Sequence, residues 1–220
     1  MLPADLHPFA ALRVLAPHPD GDVELRTGDL DGVLALAAVA ARGVHADGEQ
    51  PFAHPWTDCD PAERARRTLR WHLAGWAGWT PRDWRLDPVV RRAGVVVGTQ
   101  SLEATGFGVL REVVTGSWLG LEHQGRGTGT LMRAAVLHLA FAGLGAASAR
   151  SEAYLDNPRS LGVSRRLGYR DDGRQRTVRA GRAGRAAVQQ RLRLDAADWA
   201  ATARPQVRLD GLGSVVRALA

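Results

Sequence analysis

A strand-like segment that runs into a glycine-rich turn and opens a helix is the strongest constraint in this chain: Ser117-Trp118-Leu119-Gly120-Leu121-Glu122-His123-Gln124-Gly125-Arg126-Gly127-Thr128-Gly129. The first N–H groups of a helix have no partner within it and carry the positive end of its dipole, so glycine backbone there can wrap a pyrophosphate closely. A Cβ at these positions would hold the backbone away from the phosphates. The spacing is Gln-x-x-Gly-x-Gly, not Gly-x-Gly-x-x-Gly, and several structured elements precede it. Both points argue against a Rossmann-type nucleotide loop.

The 220 residues suit one domain, 1–220, long enough to bury its own core. There are 29 basic and 23 acidic residues, for a net charge of +6, and every basic residue is arginine. Such a bias, with the alanine and glycine richness, is what GC-rich coding produces, so the charge is weak ground for a nucleic-acid partner. No strand interleaves aromatic and basic residues as single-strand binders require, and no nucleic-acid partner is expected. One cysteine, Cys59, excludes an intrachain disulfide and suits a reducing compartment. Residues 1 to 20 lack a charged start followed by a long apolar run, and nowhere do about 18 apolar residues follow one another. A cytoplasmic protein without a membrane partner is expected.

Residues 1 to 20 read as a Pro-rich N-terminal arm with one apolar run at 11 to 15. A strand is expected at Val23–Arg26, then a helix over 30 to 41 capped by Asp29 or Asp31 and stopped by Gly43. Residues 44 to 60 have the chemistry of an inserted loop. Pro61 suits the first turn of a helix reaching Gly78. Trp71, Trp76, Trp79 and Trp84 form a packed core edge or wall a substrate cleft. Strands are expected at Val89–Arg92 and 94 to 102, about a turn at Ala93-Gly94, and at 110 to 122. A helix over 128 to 142 places Leu131, Ala135, His138, Leu139 and Ala142 on one face, with Gly143 and Gly145 closing it. A strand at 147 to 154 leads to a helix that starts at Asn157-Pro158 and ends before Gly168. Residues 174 to 180 and 187 to 194 suggest a hairpin across a turn at 181 to 185. A short helix follows at 195 to 201, and the remainder reads as a tail. The order of elements predicts an α/β sandwich around a mixed sheet.

Gln124-x-x-Gly127-x-Gly129, then Asn157-x-x-Ser160, then Leu167-Gly168-Tyr169, in that order, resembles the GNAT superfamily of acyl-CoA-dependent N-acyltransferases, in the branch similar to the RimJ/RimL ribosomal-protein acetyltransferases. The resemblance spans residues 20 to 195, with the specific motifs in an acyl-CoA-binding core at 117–169. It implies a GNAT-like mixed, mostly antiparallel sheet flanked by helices on both faces, with N-terminal and C-terminal (195–220) extensions. It also implies acetyl-CoA or another acyl-CoA such as succinyl-CoA as co-substrate, with no metal, and a possible homodimer.

Carried over residue by residue, the resemblance puts the backbone of Ser117, Trp118 and Leu119 beside the pantetheine arm, one N–H polarising the thioester carbonyl. Such a donor is worth about 3 kcal/mol in other acyl transfers. Gln124, Gly125, Arg126, Gly127, Thr128, Gly129 and Thr130 surround the pyrophosphate. Asn157 and Ser160 reach the pantetheine and the sulfur, although Asn157 also serves as a simple helix cap. Many relatives place a tyrosine seven residues after this asparagine to protonate the departing thiolate, and here that position is Ser164. Ser160, Ser164 or water remain as proton donors, and a thiol pKa near 8.5 already makes thiolate a fair leaving group.

For the base, Glu152 stands where some relatives carry a catalytic glutamate. Period two puts Arg150, Glu152 and Tyr154 on one face, so an Arg150–Glu152 salt bridge is the rival role. Glu103 and Glu122 are weaker candidates and read as solvated surface carboxylates. Deprotonating an α-amine costs roughly 1 kcal/mol at pH 7 and a lysine amine roughly 4.6, so the acceptor decides how much the base matters. His45, His54, Asp58, Cys59 and Asp60 fit no compact zinc spacing, and Cys59 has no sequence-visible partner for nucleophilic catalysis. A protein amine and a small-molecule amine both remain as acceptors, as does the alternative of a non-catalytic acyl-CoA-binding or regulatory module.

Overall fold

The computed structural model describes residues 7–179 and 184–219, so the first six residues of the arm and most of the turn at 181 to 185 lie outside it. Three helix starts follow from local chemistry. Asp29 accepts the Gly32 N–H at 3.0 Å and starts α1 (Leu30–Arg42), and Asp60 accepts the Glu63 N–H at 2.8 Å and starts α2 (Pro61–Ala77). Asn157 accepts the Ser160 N–H at 3.1 Å and starts α5 (Pro158–Arg166). In α2 and α5 a proline follows the cap, where its missing N–H costs nothing.

Among the described residues ten strands form one sheet: β1 (Arg13–Ala16), β2 (Val23–Arg26), β3 (Asp83–Leu86), β4 (Val89–Arg92), β5 (Val95–Thr105), β6 (Glu112–Leu119), β7 (Ser148–Tyr154), β8 (Arg170–Arg179), β9 (Arg185–Asp195) and β10 (Arg208–Asp210). Their order is β10-β1-β2-β4-β5-β6-β7-β9-β8, and β3 pairs with the far half of β5. Every pairing is antiparallel except β6 with β7. The hairpin from β4 to β5 turns at Ala93-Gly94, both with positive φ, matching the right-handed twist of the strands it joins.

One face of the sheet carries α1 and α2 over a small core of Val33, Leu36, Val39, Val89 and Val96, edged by Leu69, Trp76 and Trp118. The other carries the larger core, with α4 (Thr128–His138) laid across β1, β2, β5 and β6 and α5 beside it. That helix is buried nearly all round from Met132 to Leu137, so the single apolar face expected from its spacing does not describe it. Its last turn widens into a π-helix at Leu139–Gly143.

Several expectations need correction. The strand expected at 110 to 122 is shorter: a helical turn, α3 (Phe107–Leu110), precedes it and a 3-10 turn, Leu121–His123, follows. Trp84 is buried on the unpredicted strand β3, whereas Trp71 is exposed with the Arg85 guanidinium 3.8 Å above its ring. After α6 (Ala196–Ala200) the chain is no tail. β10 returns to pair with β1, and α7 (Leu212–Leu219) buries Val215. Gly211 permits that return through its positive φ and its close approach to the Ala11 carbonyl.

Candidate active site

The parallel ladder between β6 and β7 lasts only from Glu112–Ser148 to Val114–Arg150. Beyond it β6 continues along β5 to Leu119 and β7 continues along β9 to Tyr154, so the strands part like a fork. Backbone groups alternate sides along a strand. Gly120 donates to the Val97 carbonyl on the β5 side, so the N–H groups of Ser117 and Leu119 face the gap and that of Trp118 faces β5. The Trp118 amide is thus spent on β5, and its side chain stands on the α1/α2 face of the sheet.

Arg133 on α4 stitches the fork where the backbone ladder ends. Its side chain is buried, with the residue 4% exposed, and burial lowers its hold on the proton. Nε donates to Gln100 Oε1 at 3.2 Å on β5, Nη1 to Thr115 Oγ1 at 3.1 Å and Ser151 Oγ at 3.2 Å, and Nη2 to Ser117 Oγ at 3.0 Å. Among the described residues no carboxylate pairs with it, so neutral oxygens from three strands carry the compensation, together with the Tyr169 hydroxyl that shares Thr115 Oγ1 at 3.1 Å. The sequence reading passed over Arg133, although one charge inside Leu131-Met132-Arg133-Ala134-Ala135-Val136-Leu137 is a visible anomaly.

At the open end of the fork lies the glycine turn. Gly125 and Gly127 have φ of +76° and +75°, and a Cβ at either would meet nothing within 4 Å. The turn thus presents backbone to open space in front of α4, whose first residues have no side-chain cap. Gln124 fastens it: Nε2 donates to Val44 O at 2.8 Å and Leu119 O at 3.0 Å, and Oε1 accepts from Arg159 at 3.2 Å. Arg92, also missed in the sequence, braces it from β4 through Arg126 O at 3.3 Å and Thr128 Oγ1 at 3.0 Å. A Cβ on Gly129 would touch Leu119 and Val163, so β6, α4 and α5 converge here. Thr130 continues the first turn, its N–H on Gly127 O at 3.1 Å.

On α5, Asn157 Oδ1 is spent as the helix cap, and Ser160 is half-buried on the following turn. Ser164 is fully buried and its hydroxyl has no hydrogen-bond partner among the described residues. An orphaned buried hydroxyl and a glycine cradle opening on free space both fit a group that binds along this fork.

The carboxylates lie on the α1/α2 face. Arg150 pairs with Glu112 at 2.8 Å, as does Arg193 at 3.0 Å, so the Arg150–Glu152 salt bridge does not form. Glu152 is exposed and without an ion pair among the described residues. Glu103 is half-buried, not a solvated carboxylate: burial first, then the charges of Asp87 and Glu152, push its pKa up. Asp87 is buried and held by Arg85 Nε at 2.6 Å and by the Ser101 hydroxyl. Glu122 is an exposed surface carboxylate, paired with Arg42 at 2.8 Å.

Of the five residues weighed for zinc, His45 engages both ring nitrogens, with Ala46 O at 2.9 Å and Thr57 Oγ1 at 2.8 Å. Cys59 directs its thiol to Trp56 O at 3.4 Å. Among the described residues no three His, Cys, Asp or Glu groups converge as metal ligands, and no helix is long and apolar enough to cross a membrane.

Residues 24–170 match the model of the acetyltransferase (GNAT) domain. The fold is similar to Mycobacterium smegmatis RimJ in complex with CoA-disulfide, with a TM-score of 0.71 at 19% identity over 96% of both chains. It is also similar to RimL, a ribosomal L7/L12 alpha-N-protein acetyltransferase in complex with coenzyme A (TM-score 0.61, 17% identity, 82% of this chain and 97% of that one). A third is the microcin C7 self-immunity acetyltransferase MccE in complex with acetyl-CoA and AMP (TM-score 0.58, 14% identity, 81% and 97%). At such identities the likeness is one of fold, whereas the domain match covers most of the chain. The chain belongs to the acetyltransferase (GNAT) domain family and is an acyl-CoA-dependent N-acetyltransferase.

Proposed function

We propose that residues 1–220 act as a single acyltransferase domain that holds acyl-CoA along 117 to 130 and 157 to 164 and passes the acyl group directly to an amine. The observation that carries the reading is the fork, with the N–H groups of Ser117 and Leu119 turned into it and the Gly125–Gly127 cradle at its mouth. Acyl-CoA supplies the activated acyl group. Gly125, Arg126, Gly127, Thr128 and Gly129 hold its phosphates through backbone N–H groups and the Arg126 charge. Ser117 or Leu119 donates its N–H to the oxygen that gains negative charge when the amine nitrogen adds to the acyl carbon.

The amine then loses a proton and the C–S bond breaks. Glu152 and Glu103 lie on the face from which the amine arrives, and burial first, then the charge of Asp87, make Glu103 a better proton acceptor than an isolated carboxylate. Ser160, Ser164 or water returns a proton to the thiolate. Acetyl is the default acyl group. RimL, by its description, modifies a protein α-amine, and MccE serves immunity to a microcin, so both a protein and a small-molecule acceptor are compatible with the fold.

The test is calorimetric titration with acetyl-CoA, succinyl-CoA and free CoA, on wild type and on Gly127→Val. Binding that disappears in the variant supports the cradle, and the tightest thioester names the donor. Failure of all three to bind wild type sinks the proposal.

A further inference from the structure

On the α1/α2 face of the fork an aromatic wall and an acidic pocket lie side by side. Phe52 and Trp56 of the 44–60 loop reach Trp118 of β6 in a ladder, with ring centroids 5.1 Å apart for Phe52–Trp56 and 5.4 Å for Trp56–Trp118. All three rings remain half-exposed, unlike the closed core behind them. The loop that carries them is built and not loose. Arg67 donates to Pro55 O at 3.3 Å and Trp56 O at 3.4 Å, and Arg64 to Thr57 O at 3.4 Å and Cys59 O at 3.3 Å.

Two residues before Trp118, on the same face, is Gly116, a strand repeat of roughly 6.6 Å away. A Cβ at Gly116 would meet only Ser101 Cβ at 3.9 Å, so a side chain's worth of space stands open above the strand. It is bordered by Ser101, opposite Gly116 and hydrogen-bonded to Asp87, and one strand step along by Glu103, with the charge of Glu152 on β7 within reach of Glu103 and the Arg85 guanidinium taken up by Asp87. A cationic amine is attracted to this end. A flat apolar group suits the other, and the guanidiniums of Arg64 and Arg67 behind Trp56 make it unfavourable for a second positive charge.

We infer that the preferred acceptor is a primary amine joined through about three bonds to an aromatic ring, with the amine over Gly116 and the ring against the Trp56–Trp118 pair. The inference rests on the acyltransferase reading above and names its substrate class. An arylalkylamine and a peptide whose first residue is aromatic share this chemistry. The ordered wall means little is lost in fixing it when the ring binds.

The experiment measures initial rates with acetyl-CoA for 2-phenylethylamine, a Phe-initiated tripeptide, butylamine, an Ala-initiated tripeptide and spermidine, using the full chain and its Trp56→Ala and Trp56→Phe variants. An aromatic member should exceed its aliphatic counterpart at least tenfold in kcat/KM, and whichever aromatic amine wins identifies the source. Trp56→Ala should erase that preference through KM, with acetyl-CoA affinity and circular dichroism unchanged, and Trp56→Phe should retain most of it. Equal rates for aromatic and aliphatic amines, a preference for spermidine, no turnover of any amine despite acetyl-CoA binding, or equal effects of Trp56→Ala on every amine would each overturn the inference. Absence of acetyl-CoA binding would instead overturn the underlying reading, and this inference with it.

Discussion

Gly98 lies on β5 directly opposite Leu119, and a Cβ there would stand 2.9 Å from Leu119 Cα and 2.8 Å from Leu119 Cδ2, closer still to the Trp118 carbonyl oxygen. Two of the three obstacles are backbone, which cannot swing aside as a side-chain tip can. Gly98→Ala must therefore push β6 away from β5 at the residues whose amides face the fork. Overpacking costs about 1–3 kcal/mol, and a backbone clash belongs at the upper end. At roughly 2–4 °C per kcal/mol for a chain this size, the melting temperature should fall by about 6–12 °C. Acetyl-CoA affinity should fall with it. Gly116→Ala is the control: its methyl meets one atom at ordinary contact distance, so stability should change by less than about 0.5 kcal/mol. Acetyl-CoA should still bind, while the KM for the amine rises because the methyl fills the acceptor space. Calorimetric melting and titration of both variants decide the matter. An unchanged melting temperature and affinity in Gly98→Ala would refute the reasoning.

Arg133→Met removes the cation that joins β5, β6 and β7 and takes a donor from four oxygens, so urea unfolding should show a loss of about 2–4 kcal/mol. Arg133→Lys should not restore it, since one ammonium cannot span three strands. Glu103, with its pKa raised, is bound to its proton more firmly folded than unfolded, so its contribution declines as pH climbs from the ordinary glutamate value through the raised one. Glu103→Gln should therefore melt higher than wild type near pH 8 and lose that advantage below about pH 4. Burial raises the pKa of Asp29, but the hydrogen bonds from Arg91 and the Gly32 N–H outweigh it, so its stabilisation is present above the ordinary aspartate range and lost as pH falls through the lowered value. Asp29→Ala should cost about 2–3 kcal/mol in chemical denaturation, and Asp29→Asn about half, because asparagine still caps.

Much of the fold was legible because its determinants lie within a few residues of one another. A cap such as Asp60 and the N–H it satisfies on Glu63 are three positions apart, and β2 and β4 have the bounds their composition suggests. The glycine turn and the helix after it were likewise local. β3 escaped notice because four residues with one apolar alternation do not rise above a loop, and β10 because only its partner β1 makes it a strand.

The sequence by itself determined the starts of α1, α2, α4 and α5, the glycine turn and the family, since each is written in neighbouring residues whose backbone needs are set locally. Tertiary structure alone decided which partner each long side chain took. Arg150 chose Glu112 over the nearer Glu152 because parallel pairing brings Glu112 onto the same face one step away, and Glu103 came to lie beside Arg85 because β3 returns to pair with β5. Arg133 became the clasp of the fork only when three strands brought their oxygens to it. A charge in low dielectric seeks compensation in space, and distance along the chain does not set that space.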